Sequence, residues 1–450
     1  MDKPIVVENL IDGRKLGTFQ VLVIALCGLT ILIDGFDTLA IGYVAPALVQ
    51  DWHINRAALT PAFAVGQIGL LAGSLVFGPL ADRIGRRPVL IICTLAFGLL
   101  SLVTMTASSL DEFMLLRFLT GLGLGGAAPN ALALTSEYVP ARIRITTTMI
   151  MFSAFSIGAA LGGLCAAMLI DAQGWQAVFL VGGVVPLFLA VLLFFKLPES
   201  PRFLSLTGRN THRLTAIVRR IAPDGLPRGP EPVFAVTERR ASGIVVRELF
   251  SHGHTRMTLL LWVVTFVTLL DLNLLSSWLP TILKDSGLTL RSAAIVTVGY
   301  QIGGTVGSLL MGRLFDRFPP FRVLSLTYVL AFLSILGIGI AETSYLPLAT
   351  AVFMAGFCVI GGICATDVLA ATCYPTSARA TGVGWAIGIG RLGAILGPTI
   401  GGIGLGAGWS GMTFFTIGAV PALAAAAAAW TLHGQTQRGG HDRQAVPERT

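Results

Sequence analysis

One kind of segment recurs along this chain: an apolar run long enough to cross a bilayer as a helix, about 20 residues. Such runs lie near residues 19–48, 57–79, 88–107, 112–135, 147–170 and 174–195, and after a polar gap near 257–280, 291–312, 322–341, 346–372, 380–406 and 410–432. Lipid offers no hydrogen bonds to a backbone, so runs of this kind satisfy themselves as helices. The expected fold is an all-α membrane protein with twelve transmembrane helices in two pseudo-symmetric six-helix bundles. The expected segments are a cytoplasmic N-terminal stretch (1–18), a first bundle (19–195), a cytoplasmic linker (196–256), a second bundle (257–432) and a cytoplasmic tail (433–450), the tail polar and disordered. Charged residues are only 12% of the 450, against about 25% in a soluble domain. No cleavable leader is expected, because residues 1–18 are polar and of mixed charge and the first apolar run is too long for one. The six cysteines, Cys27, Cys93, Cys165, Cys358, Cys364 and Cys373, fall within or at the end of apolar runs without metal-type spacing. They read as small buried residues.

Lys and Arg set the expected orientation. With the N-terminus inside the cell, the inner segments carry 26 of the 31 basic residues and the outer loops only Arg56, Lys284 and Arg291. Arg117 and Arg391 lie within spans. This asymmetry predicts both termini in the cytoplasm, and it accounts for the net charge of +8 without nucleic acid. Between the halves, residues 196–256 are Arg-rich and broken by prolines over 223–232. They read as a tether, partly helical on either side of the break.

Shifting the chain along itself by 234 residues brings Gln67-Ile68-Gly69 onto Gln301-Ile302-Gly303 and Gly73-Ser74-Leu75 onto Gly307-Ser308-Leu309. Gly78 then meets Gly312, Asp82-Arg83 meets Asp316-Arg317, and Asp37 meets Asp271. One residue out of phase, Pro140, Arg144 and Thr146 meet Pro375, Arg379 and Thr381. The second half reads as a diverged copy of the first. Duplications of this sort place a central site between halves that rock around it.

Charges inside the spans are the candidate working parts, since a carboxylate at the bilayer centre costs roughly 2.5–3.5 kcal/mol or more. Asp34 and Asp37 lie one helical turn apart on one face. Such a pair titrates as a coupled unit. It can carry protons, or it can be a structural pair bonded to another span. Asp37 has a repeat mate and Asp34 has none, which makes Asp37 the more architectural of the two. Arg391, three turns into its span, offers a two-pronged hold on a carboxylate of the substrate or of the protein. Asp271 can pair with Arg391 or line the site, and Asp367 can simply reach the interface. Phe36, Tyr43, Trp278, Tyr300 and Trp385 are candidate stacking partners for a ring, though most aromatics in such spans are packing residues. Gln67, Asn130, Asn273 and Gln301 can bond a ring hydroxyl. Glu137 and Arg144 flank the inner end of the fourth span, where charges form gating pairs or a solvated helix end. No nucleophile–base pair, metal cluster or phosphate loop stands out, so neither an enzyme nor a cofactor is expected.

The loop Gly78-Pro-Leu-Ala-Asp82-Arg83-Ile-Gly85-Arg86-Arg87 resembles the signature loop of the major facilitator superfamily. The resemblance covers nearly the whole chain. In that family the loop helps latch the two halves, a role it implies for Gly78, Asp82, Arg83, Gly85 and Arg86. The second copy keeps Gly312, Asp316 and Arg317 but has Pro319 where the second glycine would stand. A narrower resemblance is to the aromatic acid/proton symporters. It rests on Asp34-Gly-Phe-Asp37-Thr-Leu-Ala-Ile, on Arg117-Phe-Leu-Thr-Gly-Leu-Gly-Leu-Gly-Gly with Pro129-Asn130-Ala-Leu-Ala-Leu-Thr-Ser-Glu137-Tyr, and on Gly390-Arg391-Leu-Gly-Ala-Ile-Leu-Gly-Pro398. It implies uptake of a benzoate-type acid such as 4-hydroxybenzoate, protocatechuate or benzoate with protons as the coupling ion. It also implies a proton-coupling role for Arg117 and a monomer in the bacterial inner membrane. A symporter for another organic acid or a sugar is an alternative; Leu197-Pro-Glu199-Ser-Pro-Arg202 is shared with such carriers and discriminates little. A drug exporter fits less well, since its Gly-Pro is missing from Ser156-Ile-Gly158-Ala-Ala-Leu-Gly162-Gly163 and occurs instead at Gly397-Pro398. A receptor that binds without transporting is the remaining alternative.

Overall fold

The computed structural model describes residues 5–207, 211–223, 234–235, 249–250, 255–341, 344–373 and 379–444. Twelve long helices follow one another among them. They are α1 (Thr18–Asp51), α2 (Thr60–Ile84), α3 (Arg86–Thr104), α4 (Leu110–Tyr138), α5 (Ala141–Gln173) and α6 (Gln176–Lys196), then α7 (Thr255–Asp285), α8 (Leu290–Arg317), α9 (Pro320–Ala341), α10 (Tyr345–Cys373), α11 (Arg379–Gly406) and α12 (Gly411–Gln444). Eleven are long and apolar enough to cross a membrane on those grounds alone. The other, α4, is 29 residues long but carries Asp111, Glu112, Arg117 and Glu137 and a run of glycines, which dilute its hydropathy. α12 continues well past the expected end of its span, through the polar stretch to Gln444; extending a formed helix costs little per residue. The last residues of the expected tail, most of the proline-rich linker and the Asp316 and Asp367 side chains lie outside what is described.

The chain groups into two compact units. The first holds residues 1–40, 65–162 and 172–241, and the second holds 41–64, 163–171 and 242–450. The second unit therefore takes the C-terminal end of α1, the start of α2 and part of α5.

Backbone-to-backbone contact at glycine builds each unit. In the first, a Cβ at Gly35 would strike the carbonyl of Phe155, and one at Gly158 would strike that of Leu32, so α1 and α5 touch main chain to main chain. Gly69 and Gly73 of α2 sit in the same way on Phe118 and Leu122 of α4. The second unit repeats the scheme. Gly393 and Gly397 of α11 lie on Phe266 and Leu270 of α7, while Gly303 and Gly307 of α8 lie on Phe353 and Phe357 of α10. Equivalent positions differ by 234 residues on α1 and α2 and by 235 on α4 and α5, the two offsets of the sequence repeat. Helices in lipid gain little from hydrophobic association, and small residues that admit close approach take over that task.

The linker is helical before its proline-rich break, as expected, and this part packs as folded structure. Short helices at Pro201–Thr207 and Thr211–Ile221 bury Leu204, Leu214, Val218 and Ile221 in one core with Val7 and Ile11 of the N-terminal helix Val7–Asp12. Ile5–Val6 pairs in parallel with Phe234–Ala235. The carboxylate of Asp12 accepts the backbone N–H of Ala141 at 2.7 Å, which ties this layer to the start of α5.

Gly158→Leu should push α1 and α5 apart and abolish recovery of monodisperse protein on size exclusion. Gly78→Ala should be tolerated, because a Cβ there meets nothing within 4 Å and alanine favours a helix by up to about 1 kcal/mol over glycine; the melting temperature checks it.

Candidate functional site

The first unit holds a fully buried ion pair. Asp37 is 0% exposed and Arg117 is 4% exposed. Arg117 Nη1 stands 2.9 Å from Asp37 Oδ2, and Nη2 donates to the backbone carbonyl of Asp37 at 3.0 Å. Ser101 of α3 donates its hydroxyl to Asp37 Oδ1 at 3.0 Å. The guanidinium also lies 5.7 Å from the centroid of the Phe179 ring on α6. Four helices thus converge on one carboxylate. Its other face is closed by Gly182, where a Cβ would stand 3.6 Å from Oδ1 and 3.3 Å from the Phe36 ring. Phe36 is thus a packing residue in this structure.

Asp34 is buried as well, at 4% exposure, and its Oδ1 accepts the Thr38 hydroxyl at 3.1 Å. Asp37, one turn further on the same helix, faces a cation. Asn130 turns back on its own helix and donates to the Gly126 carbonyl at 2.7 Å. Gln67 is half-buried.

The signature loop closes on a residue whose motif was visible in the sequence but had no role assigned. Glu199 Oε1 accepts the backbone N–H groups of Arg86 at 3.0 Å and Arg87 at 3.1 Å, capping the start of α3. Gly85, with φ +105°, makes the turn, and a Cβ there would run into the Glu199 carboxylate. A negative charge at a helix N-terminus is favourable on both hydrogen-bond and dipole grounds. Arg86 Nε lies 2.9 Å from Glu137 Oε1 as a charge–charge contact without hydrogen-bond alignment, and Glu137 also accepts the Ser200 hydroxyl. Glu137 therefore pairs with the loop and not with Arg144, which donates to the Val139 carbonyl at 3.4 Å. Asp82, Arg83 and Arg317 are exposed. Gly78 lies inside α2 rather than in a turn, with open space where its Cβ would be.

In the second unit the repeat mate of Asp37 meets different company. Asp271 is 1% exposed, and neither of its oxygens has a hydrogen-bond partner among the described residues. The pairing with Arg391 considered from the sequence is not made. Arg391 is half-buried on α11. The position equivalent to Arg117 is Val352, 0% exposed on α10. Around Asp271 the buried Tyr300 hydroxyl is also unpartnered and within electrostatic range of it. The next residue, Gln301, lies beside the Tyr43 hydroxyl, and the two side chains are set against each other. Buried polar atoms are nearly always bonded.

Two candidate aromatics are already occupied. Trp278 is 0% exposed, donates its Nε1–H to the Pro398 carbonyl at 2.8 Å and meets Phe63 edge-on at 5.0 Å. Trp385 stacks on Trp262 at 5.8 Å and is 44% exposed. Asn273 donates to the Leu269 carbonyl of its own helix. Besides Glu199, sequence reasoning missed Ser101, since a serine in an apolar run carries no signal until a neighbouring helix presents a carboxylate to it.

Arg117→Ala should leave Asp37 buried and uncompensated and cost about 3–5 kcal/mol. The expected readout is a marked drop in melting temperature, partly restored in the Arg117→Ala/Asp37→Asn double variant.

A family model described as Major Facilitator Superfamily matches residues 27–252 and 261–448. The 4-hydroxybenzoate transporter PcaK of Pseudomonas aeruginosa is 42% identical over 424 residues, 94% of each chain. The gallate transporter of Pseudomonas putida is 42% identical over 429 residues, 95% of each chain. Among solved structures, a bacterial homologue of the human lysosomal transporter Spinster, inward-facing and occupied, superposes with a TM-score of 0.72 at 16% identity, covering 94% of this chain and 98% of the other. The chain belongs to the major facilitator superfamily, with its two six-helix bundles, and within that superfamily to the aromatic acid transporters.

Proposed function

We propose that this protein takes up an aromatic carboxylic acid, such as 4-hydroxybenzoate, protocatechuate or benzoate, together with protons and by alternating access. The observation that carries the substrate class is the 42% identity, over more than nine-tenths of each chain, to transporters named for 4-hydroxybenzoate and gallate. The basic residues favour both termini on the cytoplasmic side of the inner membrane.

Proton coupling is supported by the Asp37–Arg117 pair. A buried carboxylate held by one cation can exchange that cation for a proton, and the freed guanidinium then seeks another anion. Both groups sit where four helices meet, so the exchange changes what holds α1, α3, α4 and α6 together. Asp34, one turn away and bonded to Thr38, is the neighbouring acceptor. Arg391 is the residue assigned to the substrate carboxylate, which its planar fork suits.

Coupling also answers an energetic need. The substrate is an anion at neutral pH, and moving one negative charge inward opposes a potential of roughly 2.3 kcal/mol per 100 mV. One proton cancels that charge.

Purified protein in proteoliposomes should accumulate labelled 4-hydroxybenzoate under an inward proton gradient, with unlabelled benzoates competing and sugars not. Accumulation that persists after the gradient is collapsed would remove proton coupling, and competition by sugars alone would replace the substrate class. Arg391→Ala should abolish the thermal stabilisation given by 4-hydroxybenzoate.

A further inference from the structure

The two repeats place a carboxylate at equivalent positions of α1 and α7 but treat it oppositely. Asp37 is held by Arg117 and Ser101. Asp271 faces a repeat in which the arginine position is Val352, and no hydrogen bond reaches either oxygen among the described residues. Ionised and unbonded, a carboxylate in such a place has a desolvation cost that nothing nearby offsets. A bound proton removes that cost without any rearrangement of the chain.

No second carboxylate stands near the level of Asp271 among the described residues. Helices α8, α10, α11 and α12 pack on α7, as does the C-terminal end of α1, whose Gly42 meets the backbone of Ser276. The titratable or charged side chains that these elements carry near the level of Asp271 are Tyr43 on α1, Tyr300 on α8, Cys358 on α10 and Arg391 on α11; α12 has none from Gly411 to Leu432. Of these, Arg391 is the one cation, and it does not bond Asp271. The open Tyr300 hydroxyl within electrostatic range of it is suited to an anionic or hydroxylated ligand, so proton and ligand can meet there.

We infer that Asp271 is a second proton-carrying residue, loaded together with the substrate anion, so that each aromatic carboxylate enters with two protons and one net positive charge. This rests on the reading of the protein as a proton-coupled aromatic acid carrier. One proton enters through the Asp37–Arg117 exchange. The other binds the Asp271 carboxylate on the side where substrate is taken up and leaves to the cytoplasm on release. The membrane potential, opposing for the anion alone, then drives the loaded cycle.

The test uses the full-length protein in proteoliposomes with labelled 4-hydroxybenzoate. Wild-type protein should accumulate substrate under a negative-inside potassium diffusion potential at equal pH on both sides. Asp271→Asn should lose this response and fall from two protons per substrate to one by reversal potential, with the pH-gradient response retained. Val352→Arg, which supplies the counter-ion found in the first repeat, should do the same. Wild-type uptake that answers to the pH gradient but ignores the potential overturns the proposal whether or not either variant folds. So does an Asp271→Asn protein with wild-type stoichiometry, or one that loses 4-hydroxybenzoate but not benzoate while keeping the potential response, since that assigns Asp271 to the ring hydroxyl. Absence of counterflow for every aromatic acid with wild-type protein would instead sink the underlying function.

Discussion

Everything in this fold depends on helices approaching until their backbones touch. Gly35 and Gly158, facing each other across α1 and α5, are the clearest case, and Gly393 and Gly397 repeat it between α11 and α7. In water such helices would be driven together by their apolar faces. In lipid they are surrounded by equally apolar tails, and the gain must come from the closeness of the fit. That closeness positions the polar groups. Arg117 reaches both a side chain and a main-chain oxygen of Asp37, and its helix α4 lies on α2 through Gly121 and Gly125 with no side chains to hold them apart.

Duplication supplied two copies of this frame, and the copies have diverged most where charge is concerned. The first unit balances its buried carboxylate with an arginine, a serine and an aromatic ring. The second keeps the carboxylate and has valine at the arginine's position. Packing tolerates little change where Gly35, Gly158, Gly69, Gly73 and their counterparts in the second unit meet unyielding carbonyls. Side chains that point into the polar interior are under no such constraint, and there the halves can take on separate tasks.

How much of this was legible beforehand follows from the range of the forces involved. Spans and their count are written in local hydropathy, and the repeat in residue identity, so both could be read directly; only α4, diluted by its charges and glycines, falls short by the same measure. The presence of Asp37 and Arg117 within spans was also legible, since charge in lipid is conspicuous. The partners of Asp37 were not, because helix rotation decides them: its carboxylate accepts from Ser101 of α3 and Arg117 of α4. Trp278 looked like a ring-binding residue and serves as a strut, its N–H bonded to α11. The helices at the start of the linker were expected, but their packing was not, as Arg-rich helices can still bury one apolar edge.

The division of the chain between the two units bears on how the protein is made. Residues 41–64 are synthesised early, yet they group with the second repeat. Gly42 rests against Ser276, its own repeat mate, 234 positions later in the chain. The ribosome must add more than two hundred residues before that contact can form. Contacts of such separation are slow to close and leave surfaces open in the meantime. The first repeat can complete the part that includes the ion pair and the linker layer while elongation continues. The ends of α1 and α5 must wait, as unfinished edges of a nascent chain, for helices not yet translated.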